Sequence, residues 1–134
     1  MVEEIRIEAS IENVDRLISI LDEKLERQDC PFKAQMQLDV AVEEIFGNIC
    51  HYAYKSKGEV CIQLSITEDM AQICFIDSGI PFNPLNIEEL DVVEVAKSEK
   101  LGGLGIIMVK ESMDDCFYEY KDNKNYLTIT KRLL

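Results

Sequence analysis

Leu101-Gly102-Gly103-Leu104-Gly105-Ile106-Ile107-Met108-Val109 sets three of the chain's six glycines within four positions, directly ahead of an apolar run. Glycine lets the backbone take φ > 0 and approach a ligand closely, and the bare N–H groups of a helix start attract anions. Alone, such a loop reads equally well as a tight loop-to-helix packing joint. Its neighbours decide between phosphate-binding folds. The chain has no Gly-x-x-x-x-Gly-Lys-Ser/Thr and no Gly-x-Gly-x-x-Gly after a strand, so neither a P-loop nor a Rossmann turn is present. Upstream stand an acid-glycine turn, Asp77-Ser78-Gly79, and a carboxylate-amide pair, Glu44 and Asn48. The three in this order point to a nucleotide site of another architecture.

Working outward from the loop, apolar periodicity divides the chain. Ile5, Ile7 and Ala9 alternate with Arg6 and Glu8, as in a half-buried strand. Ser10 then caps a helix with Val14, Leu17, Ile18, Leu21 and Leu25 at helical spacing. Pro31 suits the first turn of a second helix, which runs to about Tyr54 before Lys55-Ser56-Lys57-Gly58 breaks it. Val60, Ile62, Leu64 and Ile66 mark a second strand, and Thr67-Glu68-Asp69 turns into a third, Ala71 to Ile76. That third strand is nearly continuous in apolar residues, which predicts a central position covered on both faces.

From Gly79 to Lys100 the signals are mixed, as expected of a functional loop. The third helix is expected from about Leu104 to Asp114. Two closing strands, Cys116 to Tyr120 and Tyr126 to Arg132, flank Lys121-Asp122-Asn123-Lys124. Hairpin-length connections imply largely antiparallel pairing. The expectation is one domain over residues 1–134, an α+β two-layer sandwich with a mixed, mostly antiparallel sheet and helices on one face.

A length of 134 residues, with 47% hydrophobic and 30% charged residues, fits an ordinary globular domain. No apolar run approaches a bilayer span, and the start Met1-Val2-Glu3-Glu4-Ile5-Arg6 is not a signal peptide, so the cytoplasm is the expected location. A net charge of −12 argues against nucleic acid or an anionic membrane as the main partner, though a local site can still hold ATP. The five cysteines are widely spaced without Cys-x-x-Cys, which fits reduced, largely buried thiols better than a zinc site or a disulfide framework. His51, the only histidine, has no nucleophile arranged to use it and reads as a helix-surface residue.

On the second helix, Leu38, Ala41, Val42, Ile45 and Ile49 form the core stripe. Glu44 and Asn48, four apart, lie together along its edge, while Glu43 points to solvent. A carboxylate there can act as a general base and an amide oxygen can ligate Mg²⁺; equally, the two can be an exposed Glu and a locally bonded Asn. Asp77, at the C-terminal end of the central strand, can accept a hydrogen bond from an exocyclic amine such as that of adenine, with Gly79 permitting close approach, or can form a simple Asx turn.

Ala41-Val42-Glu43-Glu44-Ile45-Phe46-Gly47-Asn48, Phe75-Ile76-Asp77-Ser78-Gly79-Ile80-Pro81-Phe82-Asn83-Pro84 and Gly102 to Val109 resemble, in order, the N, G1 and G2 boxes of the gyrase, heat-shock-90 and histidine-kinase ATPase superfamily. Essentially the whole chain resembles the small anti-sigma-factor serine kinases of bacteria. The resemblance implies the Bergerat-type, histidine-kinase-like ATPase fold with ATP and Mg²⁺ as cofactors. It assigns Glu44 as the base activating the attacking hydroxyl, Asn48 as the Mg²⁺ ligand and Asp77 as the adenine reader, with Gly79 beneath the base. Gly102, Gly103, Leu104 and Gly105 would bind phosphates under a lid of roughly Asn86 to Leu101, to which Lys97 or Lys100 could add positive charge. The chain departs from the wider superfamily at Pro81, where a second glycine stands, and at Asn125, where a threonine makes a polar contact near the adenine.

Two functions follow as expectations. The first is an ATP-dependent serine kinase that binds a sigma factor or similar regulator and phosphorylates a small antagonist protein, with a homodimer implied by the resemblance. The second is an ATP-binding module that sequesters a partner without phosphorylating it. Glu44 favours the first, because pure binding needs no base. A thiol-based sensor is a distant third.

Overall fold

The structure is a computed structural model that describes residues 2–53, 58–85 and 103–133. Strand β1 (Val2–Glu8) leads through a short 3₁₀ turn (Ile11–Asn13) into α1 (Val14–Arg27) and α2 (Phe32–Asn48). A single π-helical turn (Ile49–Ala53) extends α2. Then follow β2 (Glu59–Ile66), β3 (Met70–Asp77), α3 (Gly103–Ser112), β4 (Asp115–Lys121) and β5 (Lys124–Arg132). The sheet order is β1-β2-β3-β5-β4, and every pairing is antiparallel, with no parallel component among the described strands.

Local chemistry sets the joints. Ser10 accepts a hydrogen bond from the Glu12 N–H and so caps the 3₁₀ turn rather than α1 itself. Pro31 sits at the N-cap of α2, extended at ψ 140°, and helical geometry begins at Phe32. The Thr67 hydroxyl accepts from the N–H groups of Asp69 and Met70 and closes the β2–β3 hairpin. Asp122 and Asn123, both at positive φ (52° and 62°), form the two-residue connection of the β4–β5 hairpin, which requires left-handed backbone at both central positions. α3 ends at Ser112 rather than Asp114: the Asp114 N–H donates to the Thr130 carbonyl and draws the chain onto the sheet.

One layer of side chains forms the core. Leu17, Leu21 and Leu25 of α1 and Leu38, Ala41, Val42 and Ile45 of α2 meet Ile62, Leu64, Ile73, Phe75 and Ile129 of the sheet. All of the helical stripe expected on α2 is buried, including Ile49. Strand β3 is central, but covered on one face only: Ala71, Ile73, Phe75 and Asp77 are buried, whereas Gln72 is exposed and Cys74 and Ile76 are half-buried. The expectation of two covered faces is corrected here: among the described residues, the helices pack on the side of Ala71, Ile73 and Phe75, and Cys74 and Ile76 stand half-buried on the other side. The five cysteines are unpaired and half-buried, less enclosed than expected.

Candidate functional site

The last inward-facing position of β3 is Asp77, and the register places Asn125 of β5 directly opposite it. Both are buried, 5% and 4% exposed. Asp77 Oδ1 accepts two hydrogen bonds, from the Gly79 N–H at 2.9 Å and from Asn125 Nδ2 at 2.8 Å. The first is the Asx turn expected from the sequence. Burial pushes the Asp77 carboxyl above its ordinary value, and the two donors pull it back toward ionisation.

Asn125 uses all its hydrogen-bonding capacity inside the fold. Its Nδ2 donates to Asp77 and to the Ile80 carbonyl (2.8 Å), while its Oδ1 accepts from the Phe82 N–H (3.1 Å) and from the Tyr118 hydroxyl. The segment after β3 is thereby tied to the β4–β5 hairpin. Pro81 is exposed in that segment and stands outside the network.

Next to this network opens a cleft. Its polar walls are Asn48, Asp77, Tyr118 and Asn125, and its apolar walls are Ile45, Ile49, Phe82, Pro84 and Leu127. Asn48 is 7% exposed, and its Nδ2 is buried with no hydrogen-bond partner among the described residues. A buried amide without a partner costs roughly 1–3 kcal/mol, so its presence on a cleft wall fits a polar ligand rather than a structural role.

One turn earlier, Glu44 is half-buried and Glu43 exposed, as the helical wheel predicts. Burial raises the Glu44 pKa, and the Glu43 charge adds to the effect. The Glu44 carboxylate lies against the α-carbon of Gly105, near the start of α3. A Cβ at Gly105 would stand 2.7 Å from Glu44 Cγ and overlap the carboxylate itself.

The structure therefore brings Asn48, Asp77 and Asn125 to one cleft, and Gly105 onto Glu44 beside it. Gly103 opens α3, and Leu104 follows it in the helix. Gly102, Lys97, Lys100 and the loop expected over 86–101 lie outside the described residues. Tyr118 was not singled out from the sequence. Its signal was there in the hairpin: a two-residue turn at 122–123 pairs Tyr118 with Leu127, on the inward face beside Asn125.

The histidine kinase-like ATPase domain family matches residues 7–131. The chain belongs to that family. Among curated proteins, the serine-protein kinase RsbW of Listeria monocytogenes serovar 1/2a is 30% identical over 97 residues, covering 68% of this chain and 62% of the relative. Its counterpart in Listeria innocua is 29% identical over the same share of each. The match thus spans less than two thirds of the length of these relatives. Among solved structures, the RsbU and RsbW domains of Rv1364c from Mycobacterium tuberculosis superpose with a TM-score of 0.71 at 14% identity, over 99% of this chain and 32% of that one. The catalytic domain of histidine kinase ThkA gives 0.55 at 12% identity, over 98% and 97%. These likenesses confirm the expected fold. No helix among the described residues is long and apolar enough to cross a membrane.

Proposed function

We propose that this chain binds Mg-ATP and transfers its γ-phosphoryl group to a serine of a small antagonist protein, as an anti-sigma-type regulator that also binds a sigma factor or similar partner. The observation that carries the nucleotide reading is the cleft lined by both Asp77 and Asn48, whose buried Nδ2 has no partner among the described residues, together with five apolar side chains. Both hydrogen bonds to Asp77 go to Oδ1, so Oδ2 is the acceptor for an exocyclic amine. Kinship with serine-protein kinases supports the choice of acceptor.

In this reading Asn48 would hold Mg²⁺ through its Oδ1, the Nδ2 being a donor that takes no part in ligation, and the cation would neutralise phosphate charge. Glu44 accepts the proton of the serine hydroxyl, and the upward push of burial on its pKa suits that role, since a base works best with a pKa near the ambient pH. The helix start at Gly103 to Gly105 would offer backbone N–H groups to the phosphates, and a role there for Gly102 and Lys100 is carried by the resemblance alone. Five unpaired thiols suit a reducing compartment, which supports a cytoplasmic setting.

Calorimetry with Mg-ATP tests the first step. Native protein binds, Asp77→Asn weakens binding at least tenfold by turning an acceptor into a donor, and Glu44→Ala changes it by less than about threefold. Absence of binding to native protein removes the nucleotide reading. Incubation with labelled ATP and candidate antagonists tests the second step: label on a partner serine, lost in Glu44→Ala, supports the kinase. A stable complex without label instead identifies a sequestering module.

A further inference from the structure

We propose that Tyr118 is a positioning residue: by donating its hydroxyl proton to Asn125 Oδ1 it fixes the Asn125 amide with its N–H groups toward Asp77, and so holds Asp77 as an acceptor for the amine of the base. The proposal rests on the nucleotide reading above and goes beyond it, because it takes Asn125 off the ligand and makes a tyrosine on another strand responsible for base discrimination.

The argument is one of matching donors and acceptors. Asn125 sits among two donors, the Phe82 N–H and the Tyr118 O–H, and two acceptors, Asp77 Oδ1 and the Ile80 carbonyl. Only one orientation of the amide satisfies all four; a flip would set NH₂ against two donors and C=O against two acceptors. With its capacity consumed and 4% of its surface exposed, Asn125 has nothing left for a ligand. Its effect passes through Asp77, whose Oδ1 it saturates together with Gly79.

Tyr118 is the one member of this set that arrives on β4, with β5 lying between it and β3. It supplies the second of the two donors to the amide oxygen, holding from β4 an orientation that the Phe82 N–H, Asp77 and the Ile80 carbonyl also favour, and it lines the cleft beside Asp77. Tyr118→Phe keeps the ring and removes only that donor. Asn125→Asp is nearly isosteric and removes the N–H groups facing Asp77.

Titration of the Asp77 side-chain carboxyl by carbon NMR, without ligand, provides the first test. Asn125→Asp raises the Asp77 pKa, by removing a donor to Oδ1 and setting a second carboxylate beside it, and Tyr118→Phe raises it by less, by loosening the amide whose N–H group donates to Oδ1. An unchanged Asp77 pKa in Tyr118→Phe overturns the proposal, whether or not the native chain binds a nucleotide. Calorimetry then compares Mg-ATP with the triphosphate of unsubstituted purine riboside, which lacks the exocyclic amine. Tyr118→Phe weakens Mg-ATP on the order of tenfold, and more so toward acid pH, while the amine-free nucleotide changes less than about twofold. Equal losses for the two nucleotides overturn the proposal, because a merely structural tyrosine would produce them. Failure of native protein to bind either nucleotide defeats the functional reading alone and leaves the titration to decide on the clamp.

Discussion

Gly105 separates two meanings of a glycine-rich helix start. If its role is to offer a backbone N–H to phosphate, an alanine there keeps that N–H and weakens ATP binding only by crowding the ligand. The structure gives a different reason for the missing side chain: the Glu44 carboxylate occupies the space a Cβ would take. Gly105→Ala therefore displaces Glu44. Alanine favours helix by up to about 1 kcal/mol over glycine, so the fold survives the change. We expect phosphoryl transfer to fall at least tenfold while the dissociation constant for Mg-ATP stays within about threefold. A parallel loss of rate and affinity would assign Gly105 to the phosphates instead.

The sequence made Glu44, Asn48 and Asp77 legible because each sits at a fixed phase of an amphipathic element. The contact between Gly105 and Glu44 was not legible, because it joins residues 61 positions apart in sequence through the packing of two helices.

At the scale of elements, the α1–α2 pair contains a carboxyl contact that periodicity could not reveal. Asp22 and Asp39 meet across the interface, and Oδ1 of each is buried with no donor. Burial, the contact with Asp22 and the charges of Asp22, Glu26 and Glu43 together push Asp39 up to about 8. The Cys30 thiol faces the same group and is raised by burial and by the Asp39 charge. A folded-state pKa above the unfolded value of about 3.9 means the native state binds more protons, so this pair costs stability progressively as pH rises from about 4 toward 8. Asp39→Asn supplies the absent donor without a charge. After allowance for solvent screening it should stabilise the protein by about 1 kcal/mol at pH 8, with the gain fading as pH falls to 4. Denaturant midpoints at pH 4, 6 and 8 measure this; a gain independent of pH would show that the two carboxyls do not share a proton.

The elements themselves were largely readable, since Leu17, Leu21 and Leu25 or Val60, Ile62 and Leu64 announce their period directly. The strand order was not. β5 lies between β3 and β4 because Leu127 and Ile129 pair with Phe75 and Ile73, whereas β4 presents half-buried Cys116 and Tyr118 to the core and exposed Phe117 outward. That choice belongs to non-local pairing, which no window of sequence contains. The nearly continuous apolar run of β3 misled for the same reason, as only the layout of helices decides which face is covered.

For the whole molecule, charge sets the terms. A net charge of −12 concentrates like charge on a compact surface, and self-repulsion opposes folding at low ionic strength. Buried carboxyls reinforce this: Asp39, Glu44 and Asp77 are all raised chiefly by burial, so each binds its proton more tightly in the native state and loses stability as pH rises. Glu3 runs the other way, held low by Lys24, but it is fully exposed. The ion pairs of Arg27 with Glu23 and of Arg6 with Glu4 are exposed too, and such pairs are worth little. Repulsion and desolvation thus act in the same direction, and the thermal midpoint should be higher at pH 6 than at pH 8. Added salt separates the two contributions, because it screens surface repulsion over a Debye length of about 10 Å at 0.1 M but reaches half-buried carboxyls poorly. At pH 8, raising sodium chloride from about 20 mM to about 500 mM should lift the midpoint by roughly 3 °C or more while leaving the difference between pH 6 and pH 8 partly in place. A midpoint that falls with salt would mean that surface ion pairs outweigh the repulsion. A pH difference abolished by salt would mean that Asp39 at the α1–α2 interface contributes nothing beyond the general field.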